Sequence, residues 1–161
     1  MGRSKFNVDQ NAATRSCDGI TFDSALEMRY YQEIVRPKQE SGELLHYELQ
    51  KSYVLQPGFT RQDGKKIRPV TYVADFYLEF ADGSTQVIDT KGFPDSVCQL
   101  KRKLFWFIYP DVEYHWVAYS KKWGGWLEYE TLMKLRKEEK RKKKKEELKN
   151  GKAAGKEDLS E

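Results

Sequence analysis

The alternation of apolar and polar positions along the chain predicts an α/β fold with the element order helix, three strands, helix, strand. The predicted strands are rich in β-branched and aromatic residues and end at Gly, Pro or Asp-Gly turns. They cover residues 47–56, 70–80, 85–91 and 112–119, and the helices begin near residues 23 and 95. Because the second helix connects two strands, we expect some parallel pairing, and hence a mixed four-stranded sheet flanked by helices.

The second and third strands are predicted to form a β-hairpin with a three-residue loop. Residues 81–83 have the sequence Ala-Asp-Gly, which places the glycine at the left-handed position that such loops require. Phe80 then pairs with Ser84, and counting inward along the two strands brings Asp75 opposite Asp89. A two-residue loop would instead place these two acids on opposite faces of the sheet.

With the three-residue loop, Asp75, Asp89 and Lys91 point to the same face, since side chains alternate along a strand. Two carboxylates about 5 Å apart repel by about 3 kcal/mol at an effective dielectric of about 20. A divalent cation between the two carboxylates turns this repulsion into a net attraction, and hard oxygen ligands suit Mg²⁺. Such a group is typical of metal-dependent phosphodiester hydrolysis. Lys91 could then hold or activate the water that attacks phosphorus, or stabilise the charge that builds up on the phosphate. The alternative is a solvated hairpin face that carries a Lys–Asp pair.

Glu27 in the first predicted helix has two interpretations. Ser24 and Glu27 match the S-x-x-E capping box, in which the Glu27 side chain bonds back to the Ser24 amide. Alternatively, Glu27 projects from the first turn toward the hairpin acids and binds a metal directly or through water. The sequence leaves both interpretations open.

Four ordered segments of the chain resemble the PD-(D/E)XK nuclease superfamily, which has a helix with a Glu, a strand with an Asp, a strand with (D/E)-x-Lys, and then a helix and a strand. The segments are GITFDSALEMRYY, YVADF, VIDTKG and QLKRKLFWFIYPDVEY, within residues 19–119. More narrowly, they look like a family of small phage-encoded proteins of that superfamily. The resemblance implies a restriction-endonuclease-like core. The chain departs from the pattern at Ala74, where the superfamily name implies a proline.

The resemblance also implies a role for each candidate site residue. Asp75 and Asp89 would be metal ligands, and the Thr90 carbonyl would complete the coordination of a Mg²⁺ ion, for which Mn²⁺ would substitute. Lys91 would be the catalytic lysine and Glu27 the acid supplied by the helix. No Gln-x-x-x-Tyr follows Lys91, which argues against a helicase-nuclease or a processive exonuclease.

The composition is that of a single intracellular domain. The chain has 161 residues, of which 39% are hydrophobic and 14% aromatic, enough for a core without disulfides. No apolar run is long enough to span a bilayer, and residues 1–10 lack the apolar stretch typical of a signal peptide, so we expect a cytoplasmic protein, in the host cell if it is phage-encoded. The residues Cys17, Cys98, His46 and His115 show no metal-binding spacing, which argues against a zinc site and a His-based nuclease.

Charge and composition divide the chain into three expected regions: a polar arm at residues 1–20, a nuclease-like domain at 21–126 and a basic helical or disordered tail at 127–161. Residues 1–130 carry 17 Lys and Arg against 18 Asp and Glu, whereas residues 131–161 carry 12 against 7. A positive groove on the domain must therefore be local. The tail could be a salt-sensitive nucleic-acid-binding arm or a solubilising segment.

Three basic side chains are candidates for phosphate contacts that position nucleic acid: Arg68, Lys101 and Lys103. Arg68 precedes the first site strand. The two lysines flank the predicted apolar stripe of the second helix, which consists of Val97, Leu100, Leu104 and Ile108. The alternative is ordinary surface charge on a helix.

Together these features predict a Mg²⁺-dependent endodeoxyribonuclease. Its DNA substrate could be branched or recombination DNA such as a Holliday junction, whose resolution needs two cuts and would fit a homodimer. Two alternatives stay open. One is a non-catalytic nucleic-acid-binding protein that keeps the nuclease fold, and the other is a phage assembly or interaction protein that uses the aromatic surface near Trp123 and Trp126.

Overall fold

The computed structural model describes residues 12–157, with side chains as far as Leu148, so residues 1–11 of the predicted arm lie outside the described residues. The helices are α1 (Ala25–Tyr30), α2 (Arg36–Glu40), α3 (Ser96–Ile108) and α4 (Tyr129–Glu157), and a π-helical segment at Tyr31–Val35 makes the first two continuous. The strands are β1 (Ser16–Cys17), β2 (Ile20–Thr21), β3 (Leu44–Gln56), β4 (Phe59–Thr60), β5 (Lys66–Ile67), β6 (Val70–Phe80), β7 (Thr85–Thr90), β8 (Tyr114–Ser120) and β9 (Gly125–Glu128).

The central sheet has five strands in the order β3-β6-β7-β8-β9. β6 pairs antiparallel with β3 and β7, β7 pairs parallel with β8, and β8 pairs antiparallel with β9. The predicted α/β fold with a mixed sheet is therefore confirmed, whereas the predicted number of four strands is wrong. Gly124 and Gly125, expected to end the last strand, have positive φ values of 87° and 112°. This left-handed backbone reverses the chain, so that β9 pairs back on β8.

The β6–β7 hairpin has the predicted three-residue loop. Phe80 N–H donates to the Ser84 carbonyl at 2.9 Å, and Gly83 has a φ of 85°. The strand pairing that follows has the register expected from this loop. Extrapolated by one pair, that register places Asp75 opposite Asp89.

Two hydrophobic cores lie on opposite faces of the sheet. Val87 and Ile88 are consecutive residues of β7 and face opposite sides, and each belongs to a different core. The helical run from α1 to α2 covers the first core, whose buried residues are Phe22, Tyr30, Tyr31, Val35, Leu44, Phe76, Leu78, Ile88 and Val117. Helix α3 covers the second, whose buried residues are Leu55, Tyr72, Ala74, Val87, Phe105, Tyr114 and Trp116.

Strands β3 and β6 change faces near their centres. Phe76 packs in the first core, whereas Ala74 packs in the second, although strict alternation would place both on one face. The change falls at Asp75 and at Gln50, which lies opposite it in the register and has a φ of 54°. A left-handed residue inside a strand bends the ribbon and re-aims the neighbouring side chains.

Helix α3 packs with a different face from the predicted one. Val97 and Leu100 of the predicted stripe are 57% and 59% exposed. On the side toward the sheet, the Arg102 guanidinium stacks 4.2 Å from the Trp116 ring and pairs with Glu130 of α4. Leu104 of the predicted stripe does pack against the second core, but the stripe was wrong at Val97 and Leu100. A buried aromatic ring accommodates a guanidinium where an aliphatic side chain was expected.

Both ends of the described chain contribute to the folded unit. Residues 12–21 form a 3₁₀ turn and the β1–β2 hairpin, whose Cys17 and Ile20 pack against the first core. Helix α4 continues through residues 150–151 to Glu157 and is anchored by the buried Leu132. No helix in the described part of the chain is long and apolar enough to cross a membrane.

Candidate active site

Asp89 and Lys91 form a buried ion pair at the end of β7. Asp89 is 1% exposed, and Lys91 Nζ lies 2.7 Å from its Oδ2. Lys91 N–H donates to the Val117 carbonyl at 2.7 Å, which fixes the end of β7 against β8. The ammonium also lies 5.4 Å from the centre of the Trp116 ring. The lysine is therefore held between its aspartate and an aromatic wall.

Asp75 lies on β6 beside this ion pair. Its Oδ2 accepts hydrogen bonds from Thr90 N–H at 2.7 Å and from Thr90 Oγ1 at 2.8 Å. These bonds lie where the backbone pairing of β6 with β7 ends. The Asp75 carboxylate therefore accepts the hydrogen bond that a backbone carbonyl of β6 would accept if the pairing continued. Lys91 interacts electrostatically with both Asp75 and Asp89. The three side chains thus lie in one cluster, which we call the acidic pocket.

Glu27 caps α1 and faces the acidic pocket at the same time. The Glu27 backbone N–H donates to Ser24 Oγ at 3.1 Å, and Ser24 Oγ donates to Glu27 Oε1 at 2.7 Å. The other oxygen, Oε2, accepts from Asp23 N–H and from Gln50 Nε2, each at 3.3 Å. The carboxylate also interacts electrostatically with Asp75. The capping interpretation is confirmed, except that the backbone donor is the Asp23 amide and not the Ser24 amide. The position of the carboxylate near Asp75 is compatible with the metal-binding interpretation, which stays a prediction.

Burial dominates the ionisation of the acidic pocket. Burial and the nearby Asp75 carboxylate raise the pKa of Glu27 from 4.5 to about 7. Burial also raises the pKa values of Asp75 and Asp89, although the Lys91 ammonium opposes this effect at both. Burial disfavours the charged form of Lys91, but the two aspartates outweigh it, and the pKa of Lys91 is raised. The pocket therefore holds more acidic groups than its one ammonium can neutralise.

The oxygen atoms of the acidic pocket suit a hard divalent cation. Oδ2 of each aspartate is engaged, but Oδ1 of Asp75 and Oδ1 of Asp89 accept no hydrogen bond from any described residue. Carboxylates and a backbone carbonyl such as that of Thr90 are the ligand types that Mg²⁺ prefers. Among the residues whose side chains are described, no three His, Cys, Asp or Glu already form a complete metal-binding group. The donor types and the two unengaged oxygens fit a cation held mainly by the two aspartates.

The three basic residues predicted to contact phosphates differ in their position relative to the acidic pocket. Arg68 is exposed just before β6, and no hydrogen bond or ion pair links it to a pocket residue in the described part of the chain. Lys101 is half-buried and Lys103 exposed on α3, and this helix adjoins the pocket, since Cys98 in its first turn interacts electrostatically with Lys91. The two lysines are therefore on the element next to the pocket, and Arg68 is not brought into it.

Three neighbours of the acidic pocket were not predicted from the sequence: Gln50, Tyr114 and Arg102. Tyr114 OH donates to Asp89 Oδ2 at 3.4 Å, and the Arg102 charge acts on the same aspartate. Tyr114 could have been identified from the sequence. Side chains alternate faces along β8, and the predicted parallel pairing of this strand with β7 places every second residue on the face of Asp89. For Gln50, a glutamine with a left-handed backbone inside a strand has no signature in residue type.

The fold and the acidic pocket define an α/β protein with a mixed five-stranded sheet and a buried cluster of acids and one lysine beside its central hairpin. A family model described as "Protein of unknown function (DUF1064)" matches residues 3–125. This range is about three quarters of the chain and contains every pocket residue, and the protein belongs to that family. No curated protein and no solved structure matches the chain.

Proposed function

We propose that the protein is a Mg²⁺-dependent endodeoxyribonuclease with a restriction-endonuclease-like core of the PD-(D/E)XK type. The observation that carries this proposal is the buried Asp89–Lys91 pair with Asp75 directly beside it on the neighbouring strand. Together with Glu27, three carboxylates face one ammonium in a desolvated pocket. Buried acids in such excess are relieved either by proton uptake, which their raised pKa values favour, or by a bound cation, and an ion pair with a purely structural role would not need the additional acids.

Each pocket residue has a task in this proposal. Asp75, Asp89 and the Thr90 carbonyl would hold the cation, and Glu27, fixed by its cap at Ser24, would support it or its water. When bound, Mg²⁺, or Mn²⁺ in its place, would polarise a phosphate oxygen and lower the pKa of a bound water.

In this proposal, Lys91 acts on the reacting phosphate. Its ammonium, held 2.7 Å from Asp89, would donate hydrogen bonds to the attacking water or to a phosphate oxygen and offset the charge that develops there. In the reaction the water oxygen bonds to phosphorus, the P–O bond to one sugar oxygen breaks, and that oxygen leaves with a proton.

A cleavage panel tests the proposed activity. Plasmid, single-stranded, forked and four-way-junction DNA are incubated with Mg²⁺, with Mn²⁺ and with EDTA. We expect cutting with either metal and none in EDTA, and a loss of at least about 100-fold in Asp89→Asn and Lys91→Met. Asp82→Asn, in the exposed hairpin loop, is the matched control and should cut like the wild type. Failure to cut any substrate with either metal would contradict the proposal, and the pattern across substrates tests the predicted preference for branched DNA.

Cation binding has a second readout that does not depend on cutting. A ligand that binds only the folded state raises the melting temperature. We expect Mg²⁺ and Mn²⁺ to raise the melting temperature of the wild type and of Asp82→Asn, but not that of Asp89→Asn. Equal shifts in all three proteins would place the cation outside the acidic pocket.

A second candidate function is DNA binding without catalysis. It is favoured by the six consecutive basic residues 140–145, all exposed on α4, which would bind phosphates whether or not the pocket is active. DNA binding with no metal-dependent cutting would support it. For the assembly or interaction alternative, Trp126 packs edge-on against Tyr30 and Tyr119. This tryptophan therefore does not offer the open aromatic surface on which that alternative depends.

A further inference from the structure

Helix α3 and the segment before it expose an apolar stripe on the side away from the core. Phe93, Val97, Leu100 and Phe107 are 90%, 57%, 59% and 84% exposed. The spacing of three and seven residues from Val97 through Leu100 to Phe107 places these exposed side chains on one face of the helix. Leu104, at the edge of this face, packs against the second core. A helix that is apolar on two sides, with only one of them covered, indicates a partner for the other side.

The exposed stripe begins beside the acidic pocket. Phe93 follows Lys91 by two residues, and Cys98 in the first turn of α3 interacts electrostatically with Lys91. From Val97 to Phe107 the stripe runs along the helix for about 15 Å. A partner that lies on this stripe would therefore reach the pocket.

The charge along α3 selects the kind of partner. Residues 96–110 contain three basic residues, Lys101, Arg102 and Lys103, and no acidic residue. Arg102 is turned to the core and paired with Glu130, which leaves Lys101 and Lys103 on the two sides of the stripe. A second copy of the chain docked through the same helix would bring these like charges together, whereas an anionic partner complements them.

We propose that the exposed face of α3 binds unpaired nucleotides of the DNA substrate. Phe93 and Phe107 offer flat aromatic surfaces on which bases stack, and Lys101 and Lys103 contact the phosphates between them. In an intact duplex the faces of the bases are covered by their neighbours, so only the lysines would be used. The substrate class is therefore single-stranded DNA, or branched DNA with unpaired bases next to the cleaved bond. The choice of nucleic acid as the ligand rests on the function proposed above.

Fluorescence anisotropy in EDTA tests this inference without any cutting. The probes are a labelled oligothymidylate of about 12 nucleotides and a blunt duplex of the same length. We expect Phe93→Ala and Phe107→Ala each to weaken binding of the single strand by about 5- to 50-fold and to leave duplex binding nearly unchanged. Phe93→Trp, which keeps a stacking ring, should bind the single strand like the wild type, whereas Phe93→Leu should not.

Leu45→Ala is the matched control, since Leu45 is 66% exposed at the start of β3 and belongs to no part of the stripe. Equal binding of the single strand by the wild type, Phe93→Ala and Phe107→Ala would overturn the inference. It would also be overturned if the wild type sediments as a dimer that Phe107→Ala converts to a monomer, because a second copy would then cover the stripe. Single-strand binding that depends on Phe93, without metal-dependent cutting, would contradict the nuclease and support this inference. Metal-dependent cutting by a protein whose single-strand binding does not depend on Phe93 would support the nuclease and contradict this inference.

Discussion

The backbone of Gln50 is left-handed, with a φ of 54°, in the middle of β3. For a residue other than glycine such a conformation costs about 1 kcal/mol or more, and it persists only where the surroundings hold it. Here the surroundings are the acidic pocket. Gln50 lies opposite Asp75, where the strands change faces, and its amide donates to Glu27 Oε2 at 3.3 Å. The strain at this residue is thus linked to the orientation of two pocket acids.

Glycine and alanine at position 50 separate this strain from the role of the side chain. Both Gln50→Gly and Gln50→Ala remove the amide that holds Glu27, so we expect each to lower the rate of DNA cleavage by about tenfold. Gln50→Gly should be more stable than Gln50→Ala by about 1 kcal/mol, because only glycine adopts a positive φ without strain. Urea unfolding and the cleavage assay measure the two effects.

The matched control is the same pair of substitutions at Ser52. Ser52 is exposed on the same strand, and its φ is not positive. There alanine should be more stable than glycine by about 0.5–1 kcal/mol. The same order of stability at both positions would show that the left-handed backbone at Gln50 carries no strain.

Glu27 makes the stability of the metal-free protein depend on pH. Its pKa is raised from 4.5 to about 7 in the folded state, so between these two values the folded state holds the proton more tightly than the unfolded state does. The glutamate therefore disfavours folding increasingly as pH rises from about 4.5 to about 7, and the loss is complete above that range. A shift of this size corresponds to about 3 kcal/mol.

The isosteric variant Glu27→Gln isolates this effect, because glutamine keeps hydrogen-bonding atoms near Ser24 and Asp23 without a charge. In EDTA, urea unfolding should show that the wild type loses about 2–3 kcal/mol more than Glu27→Gln between about pH 5 and about pH 8. Parallel curves for the two proteins would mean that Glu27 ionises in the folded state as it does in the unfolded chain.

At the scale of elements, the β6–β7 hairpin could be predicted from the sequence and the packing of α3 could not. Loop length and the place of one glycine set the hairpin register, and with it the meeting of Asp75, Asp89 and Lys91. Helix α3 has apolar residues on two sides, so periodicity alone does not show which side faces the sheet. The choice depends on Trp116, a residue of another element that covers Arg102.

Arg102 shows how much of the α3 packing depends on a charged side chain. We expect Arg102→Ala to lower the free energy of unfolding by about 2 kcal/mol, because it removes the stack on Trp116 and leaves Glu130 without its partner. Since Glu130 is 47% exposed, most of this loss comes from packing rather than from the ion pair. Lys103→Ala, the exposed neighbour, should change the value by less than about 0.5 kcal/mol. Urea unfolding that gives equal values for the two variants would contradict a packing role for Arg102.

At the scale of the whole molecule, the acidic pocket and the strongest basic surface belong to different parts of the chain. Helix α4 is held at its start by the buried Leu132, and further along by an ion pair of 2.5 Å between Lys122 and Glu139. Beyond that pair, the side chains of residues 140–148 are exposed. This part of α4 can therefore contact DNA without altering the pocket, and its contribution should be electrostatic and insensitive to sequence.

Replacement of Lys140, Lys142, Lys144 and Lys145 by glutamine tests that contribution while it leaves Lys143, which pairs with Glu139, in place. We expect weaker binding to duplex DNA and a plot of log affinity against log salt that is less steep by roughly one unit for each lysine that contacts a phosphate. The rate of cleavage at saturating DNA and low salt should stay that of the wild type, because the pocket is unchanged. Changing Glu146 and Glu147 to glutamine on the same helix alters charge in the opposite direction and should strengthen binding. An unchanged salt dependence in the lysine variant would show that α4 does not contact DNA. The phosphate contacts would then have to come from the surface around the pocket, and Lys101 and Lys103 of α3 would be the first residues to replace.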